Sequence, residues 1–297
     1  VATVELRHLR AFQAVARTSS FTKAAAELNY AQSSITEQVK ALETDLGTSL
    51  FDRTGRKLRL TSAGERMVDY AAQVLSLVDE ARSVVDSATG ELTGELTVGG
   101  LETLCAHRIP AVLVRYQDRF PQVRVTVCEG NRGEMYEGVR RGDIDVSFTF
   151  GTPPTDAVFA STVHSDDRLV VATPVGHRLS AKDRVTRADL RDEPFLATQR
   201  GCGFREMFDN ALGGSDPNGP HLQAEVASIA ALCACVASGM GLALLPEMVA
   251  DGPAKRGEIV VLPVAELDFR VSVTMTWLRR RTELAQLAGF LTVAEAA

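Results

Sequence analysis

Apolar residues at helical spacing open the chain. Leu6, Leu9, Phe12 and Val15 recur every three residues, which predicts one buried face on a first helix ending near Arg17. Ser19-Ser20 interrupts the pattern, and the Ser20 hydroxyl is placed to cap a second helix over 22–28 by accepting an otherwise unpaired amide. That helix carries Ala24-Ala25-Ala26, small side chains that let another helix come close. Asn29-Tyr30-Ala31 is the expected turn. Ile35, Val39, Leu42 and Leu46 then step by four, three and four, which gives a third helix over about 32–46 with a single apolar stripe. At ~100° per residue, Ser33, Glu37 and Lys40 lie opposite that stripe, with Thr36 at its edge.

Leu50 and Phe51 are placed to anchor under this three-helix core. Arg53-Thr54-Gly55-Arg56-Lys57 is a glycine-centred turn between two short extended pieces. Alone it reads as a solvated charged turn; after an amphipathic tri-helix it reads as a basic wing for phosphates or the minor groove. From Ser62 to about Ser87, Met67, Ala71, Val74, Val78, Ala81 and Val85 alternate steps of four and three. So narrow a heptad seam favours a dimerising helix over one docked on its own domain. A two-fold dimer would set two recognition helices on a near-palindromic operator. Beyond a short hinge ending at Gly94, the pattern predicts strands over 96–99, 123–128, 144–150, 167–173, 195–198 and 269–277. Helices are expected over 104–120, 134–141, 204–212, 227–238 and 283–291. Alternating strands and helices predict α/β layers with largely parallel sheets.

The length of 297 residues favours about two domains, and 45% apolar with 24% charged residues is ordinary for a soluble protein. No run of ~18 apolar residues marks a membrane span. The first ten residues lack the apolar core of a signal peptide, so a cytoplasmic protein is expected. The net charge of −6 conceals an asymmetry: residues 1–60 carry nine basic against six acidic groups, +3, and the remainder −9. A basic head on an acidic body suits a chain that approaches phosphates with one end.

Cys105, Cys128, Cys202, Cys233 and Cys235 make an odd set, which argues against a disulfide framework. Cys233 and Cys235 would point ~200° apart on a helix and cannot clamp one metal. All but Cys202 read as small buried apolar residues, and no metal or cofactor is expected. No nucleophile elbow, phosphate loop, zinc pattern or dinucleotide turn occurs, and the five histidines are scattered, so no enzyme is expected.

Four blocks carry a resemblance: Phe21-Thr-x-Ala-Ala-x-x-Leu28, Gln32-Ser-Ser-Ile-Thr-Glu-Gln-Val-Lys-Ala-Leu-Glu43, Leu46-Gly-x-x-Leu-Phe-x-Arg53 and Leu60-Thr-x-x-Gly64. In one register over about sixty residues, they resemble the DNA-binding head of LysR-type transcriptional regulators. The resemblance implies DNA contacts from Gln32, Ser33, Ser34, Thr36, Gln38, Lys40 and Arg53. The wing's Arg56 joins them by its position. Gln32 could pair adenine in bidentate fashion. Two positions depart from the usual pattern: many members carry Arg where this chain has Glu37, and Ser where it has Ala31. Glu37 could accept from cytosine N4 or simply face solvent.

The segments Leu96-Thr-Val-Gly-Gly, Phe120-Pro121, Gly142-Asp-Ile-Asp-Val146 and Val236-Ala-Ser-Gly-Met-Gly-Leu-Ala-Leu-Leu-Pro246 are similar to the effector domain of the same regulators. The expected architecture is α plus α/β. A winged helix-turn-helix (1–61) is followed by a linker helix (62–89) and an effector domain (90–297). By the likeness that domain is two Rossmann-like lobes, as in periplasmic solute-binding proteins. Lobe I would take about 92–163 and 267–297, lobe II 164–266, with crossings near Val163 and Glu266. The family also implies tetramers, and contact with RNA polymerase is conceivable for such a regulator.

Ligands of open α/β sheets sit beyond the carboxyl ends of strands, which here nominates a cleft lined by Thr103, Arg132, Phe150, Cys202 and Ser228. Arg132 would favour an anionic effector or be a surface arginine. Thr103 would cap a helix, bind an anion, or do both. Cys202 lies in Arg200-Gly-Cys-Gly-Phe-Arg205, where positive charge could lower a thiol pKa. It would line the pocket, sense oxidants, or be incidental. The leading expectation is a regulator modulated by a small effector bound between the lobes. The alternatives are a redox-responsive regulator using Cys202, and a solute-binding protein without DNA regulation.

Overall fold

The head is built from α1 (Leu6–Thr18), α2 (Phe21–Leu28) and α3 (Gln32–Leu46). In the computed structural model, which describes residues 4–52, 58–86, 92–200, 203–213, 220–264 and 269–296 (backbone alone for 79, 80 and 82–86), these helices share one core. Leu9, Phe12, Val15, Ala24, Ile35, Val39 and Leu42 meet there. Leu6 and Leu46, expected in the same stripes, are 38% and 39% exposed, because each sits at the free end of its helix. Ser20 Oγ accepts from the Lys23 amide at 3.3 Å and so starts α2. β1 (Phe51–Asp52) and β2 (Arg59–Leu60) pair antiparallel and form the base of the expected hairpin, whose tip at 53–57 lies outside the described residues.

The hairpin is tied to the helices at one buried corner. Phe51 packs on Phe12 and Phe21, with ring centroids 5.5 and 5.9 Å apart. Glu43 Oε1 accepts from the Leu50 and Phe51 amides at 2.8 and 3.1 Å. A Cβ at Gly64 would lie 2.1 Å from the Leu50 carbonyl oxygen, so the close approach of the linker helix needs glycine there. That linker, α4 (Ser62–Asp86), is one helix of 25 residues.

The body follows with β3 (Gly94–Gly100), α5 (Glu102–His107), α6 (Ile109–Arg119), β4 (Val123–Glu129), α7 (Arg132–Arg141), β5 (Val146–Phe150), β6 (Phe159–Pro174), α8 (Arg187–Leu190), β7 (Pro194–Thr198), α9 (Gly203–Leu212), β8 (His221–Val226), α10 (Ile229–Ala237), β9 (Leu242–Pro246), α11 (Glu247–Lys255), β10 (Ile259–Leu262), β11 (Arg270–Leu278) and α12 (Ala285–Glu295). Strand order is β4-β3-β5-β11-β6-β9-β7-β8, with β10 also on β6. β3 runs parallel to β4 and β5, and β7 to β8 and β9. The pairs made by the crossing strands β6 and β11 are antiparallel, so the sheets are mixed rather than largely parallel.

β6 serves both lobes. Its residues Phe159 to Arg168 pair with β11, and Leu169 to Ala172 pair with β9. The partner of β6 thus changes between Arg168 and Leu169, and its pairing with β11 is irregular between Val163 and Ser165, at the expected crossing, while the return near Glu266 lies outside the described residues. The single helix expected over 104–120 is two, α5 and α6, because Pro110 lacks an amide and is accommodated only in a first turn.

Candidate nucleic-acid interface and effector cleft

Helix α3 presents Gln32, Ser33, Glu37 and Lys40 to solvent, while Ser34, Thr36 and Gln38 are half-buried. Thr36 Oγ1 donates to the Gln32 carbonyl (2.9 Å), Gln38 Nε2 to Ser34 Oγ (3.4 Å) and Thr22 Oγ1 to Gln32 Oε1 (3.1 Å). The polar side of α3 is thus pre-bonded within the head, with Lys40 as its outward cation. Ala31 caps α3 with backbone only and makes no side-chain bond to the first turn. The leading amides of α3 consequently remain open to an acceptor such as a phosphate oxygen. Two groups were not nominated from sequence: Tyr30, 53% exposed in the turn before α3, and Thr22, which is bonded to Gln32. The spacing of the Phe21-Thr block could have found Thr22. Arg53 and Arg56 lie outside the described residues.

Two residues of the expected seam pack inward on the head. Ala71 is fully buried in the head's core with Leu75, and Met67 packs against the same core. The exposed apolar residues of α4 are Tyr70, Val74, Leu77 and Ala81, again four, three and four apart. Val74 and Ala81 are common to both sets; Val78 is half-buried and Val85 is outside the described side chains. The helix therefore docks on its own head with one face and carries a heptad stripe on another.

Between the lobes lies a cavity of about 570 Å³. Thr103, Arg132, Phe150 and Ser228, nominated from sequence, all line it, and Cys202 lies outside the described residues. Phe150 is fully buried, stacked edge-on against Phe204 with centroids 5.1 Å apart, and forms the apolar floor. Arg132 donates an Nη hydrogen to the Phe150 carbonyl, which fixes its guanidinium at the wall. Ser228 Oγ accepts from the Ala231 amide (3.2 Å) as the N-cap of α10. Thr103 is not a cap: Leu101 precedes α5 and Thr103 sits one residue inside the helix, buried.

Helices α7, α9 and α10 all begin at this cavity, so their positive ends converge on it. Arg200 adds a second cation and Glu102 one anion. Thr198, missed in the sequence because it reads as the last residue of a buried strand, is 2% exposed and lines the cavity. Its Oγ1 has no hydrogen-bond partner among the described residues.

Away from this cavity, Cys105 Sγ donates weakly to the Cys128 carbonyl at 3.7 Å. Burial, then the nearby Glu129 and Cys128, push the Cys105 thiol up to about 11. No group of three potential metal ligands occurs among the described residues, and no helix there is long and apolar enough to cross a membrane.

A helix-turn-helix with a wing, joined by a long helix to two α/β lobes around a polar-rimmed cavity, defines a ligand-responsive DNA-binding regulator. Residues 6–65 match the bacterial regulatory helix-turn-helix proteins of the lysR family, and residues 89–297 match the LysR substrate binding domain; the chain belongs to the LysR family of transcriptional regulators. It is 33% identical over 292 residues to the uncharacterized HTH-type transcriptional regulator YwqM of Bacillus subtilis (strain 168), covering 97% of each chain. It is 34% identical to YofA of the same organism, over 90% of this chain and 91% of that one. Among solved structures, a full-length OxyR variant from Pseudomonas aeruginosa shares 25% identity at a TM-score of 0.80, covering 99% of this chain and 94% of that one. CbnR, a LysR family regulator solved in complex with its target DNA, shares the fold, with 24% identity, a TM-score of 0.67, and coverage of 98% and 99%.

Proposed function

We propose that this regulator binds a small anionic effector between its lobes and uses it to set how a dimer of heads engages DNA. The observation that carries this reading is the cavity itself. Three helix N-termini, Arg132, Arg200 and the Thr198 hydroxyl, which has no partner among the described residues, surround an apolar floor of Phe150 and Phe204. Such a rim stabilises negative charge, and the floor accepts a short carbon skeleton, so a small carboxylate fits its chemistry.

On the DNA side, Gln32, Ser33, Ser34, Thr36, Gln38 and Lys40 are the contact set, with Arg53 and Arg56 of the wing on the flanking backbone. Tyr70, Val74, Leu77 and Ala81 pair two chains along α4, so two α3 helices meet a near-palindromic site. Tetramer assembly and contact with RNA polymerase belong to the same reading, as does action in the cytoplasm without a catalytic step.

The test is thermal unfolding of the full chain with a panel of small carboxylates, inorganic phosphate and neutral sugars. A true effector at a hundred times its Kd adds about 2.7 kcal/mol of stability. Stabilisation by one or more carboxylates, lost in Thr198→Val and Arg132→Ala, is expected. Stabilisation by neutral sugars alone, or one indifferent to both substitutions, would overturn the anionic reading.

A further inference from the structure

One helix touches both the cleft and the linker. The N-terminal end of α7 lies in the cavity, where Asn131, Arg132 and Gly133 are part of the wall. Asn131 and Glu134 close a reciprocal capping box that pins this end. Ten residues on, about 15 Å away, the chain leaves the helix through Gly142 at φ +81°, a left-handed conformation that suits glycine.

There the Gly142 carbonyl accepts from Arg281 Nη1 at 3.2 Å. The same guanidinium donates to Asp145 Oδ1 at 2.9 Å and, through Nε, to Ser76 Oγ of α4 at 2.7 Å. Asp145 is held in turn by the Thr97 amide, which donates to its Oδ2 at 2.8 Å. Arg281 is 6% exposed and Ser76 3% exposed, so the bond between them is shielded from solvent and strengthened by the lower local dielectric. Ser76 follows directly on Leu75, which is packed into the head's core. α4 and α7 also pack on each other. Beside this contact Arg140 pairs with Asp156 at 2.8 Å.

We infer that α7 is the arm that reports the state of the cleft, and that Arg281 is the joint passing its movement to Ser76 and so to the linker helix and the head. Arg281 is a positioning residue: it touches neither ligand nor DNA, and holds the end of α7, lobe I and α4 in one register. The identity of the stimulus rests on the effector reading above; the mechanical link does not. Because coupling between sites is reciprocal, the same joint lets the state of the heads bias the cleft.

Hydrogen–deuterium exchange on the full chain tests this without any ligand, using Asn131→Ala to loosen the cleft end of α7. Exchange in the first turn of α7 is expected to rise about fivefold, as loss of one N-cap bond implies. Faster exchange is also expected in the α4 peptide over 69–78. In a Ser76→Ala background, which removes the hydroxyl that accepts from Arg281 Nε, the α7 response should persist and the α4 response disappear. Arg281→Lys, which keeps a cation beside Asp145 but has no Nε to reach Ser76 at the same time, should do the same if Ser76→Ala proves unstable. An α4 response that is absent from Asn131→Ala, or unchanged by both second substitutions, overturns the joint. A cleft that takes no carboxylate would instead sink the effector reading and leave this exchange pattern standing.

Discussion

At the scale of the residue, Ala31 shows how a local cost can mark a working surface. It caps α3 with extended backbone (φ −70°, ψ 146°) but supplies no side-chain acceptor. Ala31→Ser should therefore stabilise the head by about 1 kcal/mol, the usual worth of an N-cap hydroxyl. Chemical denaturation of the two proteins measures this; an unchanged midpoint would mean that the first-turn amides are already satisfied. Cys105 makes a second prediction. Its thiol is raised from an ordinary 9.0 to about 11, mainly by burial, so its thiolate population at pH 8 falls about a hundredfold. Alkylation by iodoacetamide at pH 8 should be slower than for a free thiol by about that factor, read by mass spectrometry. The neutral thiol is the folded form. Its contribution to stability is whole below the unfolded value near 9 and is lost as pH rises through about 11. Rapid labelling of native Cys105 would contradict the burial.

At the scale of the element, α4 separates two jobs onto two faces, and substitutions should separate them too. Leu77→Glu places a charge on the exposed stripe. It should shift the protein toward monomer in sedimentation while leaving the unfolding temperature of the head near that of the parent. Ala71→Glu places a charge in the head's core and should unfold it, by several kcal/mol. If Leu77→Glu leaves the assembly intact, the Tyr70–Val74–Leu77–Ala81 stripe is not the seam. The sequence shows the heptad but not which of its positions face outward: Met67 and Ala71 are as apolar as the exposed Tyr70 and Leu77, and only packing on the head tells them apart. The head was legible because three amphipathic helices, a serine cap and a hairpin all agree locally. The body was less so. β6 begins in Phe-Ala-Ser-Thr-Val-His-Ser, which has little alternation and becomes strand because β11 lies beside it. β8, His-Leu-Gln-Ala-Glu-Val, does alternate polar and apolar residues and was legible as a strand, whereas Pro253 inside α11 interrupts the pattern that would mark a helix. The cleft was nominated by the rule that ligands sit beyond strand ends. Thr198 escaped because a hydroxyl without a partner among the described residues cannot be read from sequence.

At the scale of the molecule, the chain is a basic head and an acidic body with one long helix between them and a buried arginine where helix and body touch. The charge division lets the head approach DNA while the body stays off it. In the proposed function, α3, displayed twice by pairing along α4, reads DNA. The most direct measurement is selection of bound fragments from a random duplex library by the full chain, followed by binding of the selected site across salt concentrations for the parent and Lys40→Ala. Docking of two paired α3 helices predicts a site of two inverted half-sites, separated by one helical turn or a multiple of it. It also predicts a slope of log K against log salt that falls by about one in Lys40→Ala. An unpaired or absent motif, or a salt slope unchanged by Lys40→Ala, would contradict it.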